Sequence, residues 1–209
     1  LLEAMQERTV SLAGESHKLP PPFYVLATQN PIEMEGTYPL PEAQLDRFMM
    51  KIEVEYPSAE DLKTIISRAD AFVDDPGAKR VADSTRVVQM QETVRKIPVT
   101  DAAADLAVKM IQLSHPGNPG IPEAVKKSVR YGASPRGGQA LLLVARVRAL
   151  LDGRFAAGPE DVAAAALSCL RHRILRNFEG EADGVSVDGI VKEIAVAAGA
   201  KERALFASA

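Results

Sequence analysis

One cysteine, Cys169, and no tryptophan occur in the 209 residues. A lone thiol excludes an internal disulfide framework and fits a reducing compartment, so the expected location is the cytoplasm. Long apolar runs are missing too. None approaches the ~18 residues of a membrane-spanning helix, and the first ten residues lack the basic stretch and apolar run of a signal peptide. Charge of one sign is scarce: the formal net charge is −3, with 6 Lys and Arg against 12 Asp and Glu in residues 1–73 and 19 against 16 in residues 74–209. Neither part has the basic excess that would mark nucleic acid as its main partner. The last absence concerns phosphate chemistry. No Gly-Lys and no Asp-Glu dipeptide occurs, so this sequence offers neither a GxxxxGK[ST] phosphate loop nor an acidic pair at a strand end.

What is present suits a packed core, since 46% of residues are hydrophobic and 25% charged, and the length allows one large domain or two small ones. Leu1, Leu2 and Met5 share a helical face with no capping residue before them, as in a helix end, and the natural expectation is that further sequence lies upstream. Thr9–Leu12 and Glu15–Leu19 flank Ala13-Gly14 as a β-hairpin. Phe23–Thr28 is almost wholly apolar and predicts a strand buried on both faces, as in a parallel sheet. Pro41–Arg47 predicts a short helix, Met49–Tyr56 a second strand, and Ser58 with Asp61 a capped helix start. Asp74-Asp75-Pro76-Gly77 breaks the pattern. Beyond it strand signals almost vanish, which predicts two domains, 1–77 and 78–209, the second a helical bundle. Its helices fall at Ser84–Lys96, Thr100–Leu113, Pro135–Leu151 and Pro159–Leu175, with a last one from Asp188 as N-cap to near Gly199.

Three residues could handle a phosphate. Asn30 follows the FYVLAT stretch, at the strand end where open α/β sheets bind ligands; an amide there could orient water or satisfy its own turn. Arg47 could stabilise negative charge held by another subunit, or bond the last carbonyls of its short helix or Asp46. Arg136 sits in the first turn of a helix capped by Ser134 and started by Pro135, where the helix dipole disfavours a cation. A nearby anion would account for it, as would solvation. Cys169 and His172 have metal-like spacing but lack a second ligand pair, so no metal site is expected.

The strings LLEAMQER, ATQNPIEMEGTYPLPEAQLDRF, YGASPRGGQALL and LRHRI together resemble the MoxR family of AAA+ ATPases, from Leu1 to about Arg176. The resemblance implies an α/β fold, the C-terminal part of an AAA+ core with a parallel sheet and a β-hairpin insert, followed by an α-helical lid. It implies Asn30 as sensor 1, Arg47 as the arginine finger reaching a neighbouring subunit, and Arg136 as the sensor 2 arginine. It also implies ATP and Mg²⁺ as cofactors, a homo-oligomeric ring of six subunits, and chaperone-like remodelling with a von Willebrand A domain partner. In this family the phosphate loop and the acidic pair lie upstream of LLEAMQE, so the chain reads as a C-terminal portion, inactive by itself. Two other readings remain open: a non-catalytic helical interaction module, and a magnesium-chelatase-like or DNA-remodelling relative.

Overall fold

The Ala13-Gly14 turn closes a hairpin because both residues have positive φ, 51° and 86°, the hand that matches the twist of flanking strands. Strands β1 (Thr9–Leu12) and β2 (Glu15–Lys18) pair antiparallel, Thr9 opposite Lys18 and Leu12 opposite Glu15. A computed structural model describes residues 2–29, 40–67 and 79–205. Helix α1 (Leu2–Glu7) precedes the hairpin and is tied to it where Ser11 Oγ donates to Glu3 at 2.7 Å.

Next come α2 (Glu42–Leu45) and α3 (Ala59–Ser67). The cap expected for α3 is present: Asp61 N donates to Ser58 Oγ at 3.2 Å, and Ser58 Oγ donates to the Asp61 carboxylate at 2.6 Å. The two strands expected on either side of α2 do not form. Phe23–Thr28 and Met49–Tyr56 carry no regular structure, and Tyr24 is 69% exposed, Leu26 85% and Val54 92%. A strand needs a neighbour's N–H and C=O groups, and among the described residues neither segment has one. The described sheets are two antiparallel pairs, so the expected parallel sheet is not among them. The break at Asp74–Gly77, where the domain boundary was expected, lies outside the described residues.

From residue 79 the chain is helical: α4 (Ser84–Lys96), α5 (Asp101–Leu113), α6 (Glu123–Ser128), α7 (Pro135–Leu151), α8 (Pro159–Leu170), α9 (Phe178–Ala182), α10 (Val187–Ala198) and α11 (Glu202–Leu205). Helices α5, α7 and α8 pack against one another, and α10 lies against α5 and α8. Leu106, Met110 and Leu113 of α5 point inward as their spacing predicts. Five successive apolar residues, Val162–Ala166, are buried, which makes α8 the central helix; its small side chains let α5, α7, α10 and α11 approach.

Two local expectations need correction. Helix α8 stops at Leu170 because Leu175–Arg176 forms β4, paired with β3 (Val129–Tyr131), a small sheet that the sequence does not signal. The N-cap of α10 is Ser186, whose Oγ accepts from Gly189 N at 3.4 Å. Asp188 lies one residue inside the helix, and its carboxylate is held by Arg171 at 2.7 Å.

Candidate functional site

Asp46 follows α2, and its carboxylate joins the first part of the chain to the helical bundle. Ser134 Oγ donates to Oδ1 at 2.7 Å, Arg173 Nε donates to the same oxygen at 3.1 Å, and Arg136 Nη1 lies 3.3 Å from Oδ2. Burial works against the charged carboxylate, but the Ser134 hydroxyl and the two guanidinium groups outweigh it and hold Asp46 below its ordinary range.

Arg173 carries most of this junction. Its side chain is only 2% exposed, and it donates to the carbonyls of Asp46 (3.0 Å), Phe48 (2.6 Å), Met49 (3.1 Å) and Cys169. Burial opposes its charge, and Asp46 acts in the other direction. A planar fork of donors suits a row of carbonyls that has no neighbouring strand. The rest of LRHRI serves the same contact. His172 Nε2 donates to Phe48 O at 3.0 Å, Arg171 reaches Glu53 at 3.9 Å while bonding Asp188, and Leu170 and Ile174 are buried in the core. Lys51 N donates to Ser168 O at 2.9 Å. His172 is driven down to about 4 by burial, then by the neighbouring Arg173, against the bond to Phe48. Its Nδ1 is buried with no hydrogen-bond partner, so a second ring proton would have no acceptor.

Glycines bring Arg136 to this place. A Cβ on Gly132 would stand 2.5 Å from the Ser114 carbonyl oxygen, so only glycine lets the loop before α7 lie against the end of α5. There Ala133 N donates to Ser114 Oγ at 2.9 Å, and His115 Nε2 donates to Ala133 O at 3.0 Å. A Cβ on Gly137 would come within 3.2 Å of Arg173 Cδ and Leu170 Cδ2, so the first turn of α7 sits close on the junction. The cap is the one expected, Ser134 Oγ accepting from Arg136 N at 3.2 Å with Pro135 in the first turn. The anion that the position of Arg136 calls for is supplied, in this structure, by Asp46.

Of the three phosphate candidates, Arg136 contacts Asp46, the residue immediately before Arg47, and Arg47 is itself partly buried. Asn30 lies outside the described residues. Cys169 and His172 do not form a metal site, because Cys169 faces the core, where burial pushes its thiol up to about 11, while His172 turns to Phe48. Among the described residues no group of three acidic, His or Cys side chains could hold a metal ion. The half-exposed guanidinium of Arg136 fits a phosphate oxygen; a Mg²⁺ site is not found in the described residues. Asp46 and Arg173 are missed by residue-type reasoning, although both lie inside strings, LDRF and LRHRI, that carry the family resemblance. No described helix is long and apolar enough to cross a membrane.

The chain is similar to known proteins in both sequence and fold. Residues 1–50 match the ATPase family associated with various cellular activities (AAA), and residues 121–194 match the AAA lid domain. Chaperone MoxR1 of Mycobacterium tuberculosis is 40% identical over 195 residues, 93% of this chain and 51% of that protein. Protein MoxR of Methylorubrum extorquens is 32% identical over 184 residues, 83% of this chain and 53% of that protein. The crystal structure of a Cytophaga hutchinsonii protein inferred to be an ATPase superposes with a TM-score of 0.83 at 36% identity, covering 92% of this chain and 58% of that one. The chain thus spans about half the length of the curated relatives it matches. Its α/β fold is that of the C-terminal part of an AAA+ core followed by a helical lid. A lid held to the core segment through LDRF and LRHRI, with both profiles matched and the MoxR proteins as relatives, identifies the chain as a member of the MoxR family of AAA+ ATPases.

Proposed function

We propose that the whole protein is an ATP-hydrolysing, ring-forming MoxR-type ATPase with a chaperone-like remodelling role, and that this chain supplies its sensors and its finger. Asn30 positions the attacking water as sensor 1. Arg136 binds the γ-phosphate of its own subunit as sensor 2, and Arg47 completes the neighbouring subunit's site. The observation that carries this reading is the Asp46 junction, which sets Arg136 beside the segment of Arg47. The profiles matched on either side of residues 74–77 support a division into a core part, 1–77, and a lid, 78–209. The nucleotide would be held as its Mg²⁺ complex, with Arg136 and Asn30 the residues of this chain on the phosphates. The magnesium ligands would come from the rest of the whole protein. The ring would be a hexamer acting in the cytoplasm on a partner with a von Willebrand A domain.

Guanidinium groups suit this work because charge accumulates on the phosphate oxygens as the phosphoryl group transfers, and an arginine supplied in trans is worth ~10³ to 10⁵ in turnover where it has been measured. The test is ATP turnover by the whole protein in its assembled state. Arg47→Ala should lower kcat by at least ~10³-fold, and unchanged turnover would remove the finger assignment. For the 209-residue chain, calorimetry should detect little ATP binding, and tight binding would refute the division of labour between this portion and the rest of the protein.

A further inference from the structure

We propose that Asp46 is a positioning residue that competes with the nucleotide's γ-phosphate for Arg136, so that engagement of the sensor arginine is registered at the segment carrying Arg47. This rests on the reading of Arg136 as sensor 2. The two oxygens of Asp46 have different duties. Oδ1 is committed to the junction, accepting from Ser134 and Arg173 at 2.7 and 3.1 Å. Oδ2 meets Arg136 through one contact of 3.3 Å, and the Arg136 side chain is 45% exposed. An ion pair made through a single contact by a half-exposed arginine is weak, whereas a phosphate offers more charge and a bidentate partner. Arg136 can therefore leave without dismantling the junction, because Arg173 still holds Oδ1 and the Asp46 carbonyl. Its departure removes one of two cations from the residue that precedes Arg47, and by linkage whatever strengthens the Asp46–Arg136 pair must weaken the phosphate contact by the same factor.

Asp46→Asn separates these duties, since the amide oxygen can still accept from Ser134 and Arg173 while the charge facing Arg136 is gone. In the whole protein, affinities for a non-hydrolysable ATP analogue and for ADP would be measured by calorimetry in the wild type, Asp46→Asn, Arg136→Ala and the double variant. The analogue should bind Asp46→Asn about two- to fivefold more tightly, the size expected for release of a single-contact, partly exposed ion pair. ADP should be unaffected, and Asp46→Asn should have no effect once Arg136 is alanine. An unchanged or weaker analogue affinity in Asp46→Asn, or a tightening that survives in the double variant, overturns the proposal while the sensor assignment stands. If Arg136→Ala alone leaves analogue affinity untouched, the sensor assignment fails and the proposal falls with it. Should Asp46→Asn not fold, the ¹³C carboxylate resonance of Asp46 in the wild type decides: the analogue should move it and ADP should not, and equal responses overturn the proposal.

Discussion

Apolar residues are abundant on both sides of residue 79, yet they meet different fates. Among the described residues before it Ala4 is the buried apolar side chain, whereas α5, α7, α8 and α10 enclose a continuous core built around Met110, Leu141, Leu170 and Ile194. A helix satisfies its backbone internally and needs only a face to pack against, so the bundle's pattern is fulfilled within the bundle. A strand depends on a neighbour for its backbone bonds. In Phe23–Thr28 and Met49–Tyr56 that neighbour is not among the described residues, and the side chains stay exposed. Where the second of these segments begins, the lid stands in for a strand, because Arg173 donates to the carbonyls of Asp46, Phe48 and Met49.

Removing that substitute is the most severe way to test the comparison. Arg173→Ala leaves Asp46 partly buried without its main partner and strips several carbonyls of their donor, and breaking such a pair costs ~3 to 5 kcal/mol. Urea denaturation should show a loss of this size. Hydrogen exchange at Lys51 N, which donates to Ser168 O, should lose its protection as the segment detaches. Protection that survives the substitution would mean that the segment holds its place without Arg173.

The contrast in burial gives the next test. Leu141 is fully buried in α7, and truncation to alanine should cost ~2 to 5 kcal/mol in the same assay. Leu26→Ala should stay within ~0.5 kcal/mol for the 209-residue chain, although both residues are leucines in apolar stretches. A large effect at Leu26 would show that Phe23–Thr28 is packed in solution.

How much of this was legible depended on whether a signal was local. The bounds of α4 and α7, the hairpin turn and the caps at Ser58 and Ser134 follow from short-range chemistry and are found as expected. The helical spacing of Leu106, Met110 and Leu113 turns them inward, and all three are buried. The two strands failed because an apolar run states that a segment wants burial without stating what will bury it. Arg173 and Asp46 are 127 residues apart, and their pairing has no local signature. Spacing could place Arg136 at a helix start and ask for an anion, but only the folded chain shows which carboxylate answers.

His172 offers a subtler probe of the junction. Its folded value of about 4 lies below the ordinary 6.5, so the unfolded chain takes up a proton first as pH falls. Stability from this residue is therefore complete above about pH 6.5 and declines toward pH 4, by up to ~3 kcal/mol. Asp46 and Asp161, whose carboxylates are held low, act in a separate window: their contribution is present above about pH 4 and is lost as pH falls through their folded values. Denaturation midpoints measured from pH 7 to 4.5 should fall in the wild type and flatten in His172→Gln. An equal slope in both would show that His172 is not held neutral at the junction.

The smallest effect separates an element that belongs to the core from one that only leans on it. Helix α4 has no buried residue, and Asp83 caps it by accepting from Arg86 N at 2.7 Å. Thr100 does the same for α5, accepting from Ala103 N at 3.3 Å, but α5 buries five side chains. Each cap is worth about 1 kcal/mol. Because fraying of α4 exposes little apolar surface, Asp83→Ala should speed amide exchange within α4 and leave the global denaturation midpoint almost unmoved. Thr100→Ala should shift the global midpoint, since α5 cannot fray without opening the core, and its hydroxyl also donates to Ala157 O at 3.1 Å. If both substitutions move the global midpoint equally, α4 is a cooperative part of the bundle, and the boundary between self-sufficient and dependent elements lies nearer the start of the chain than burial alone places it.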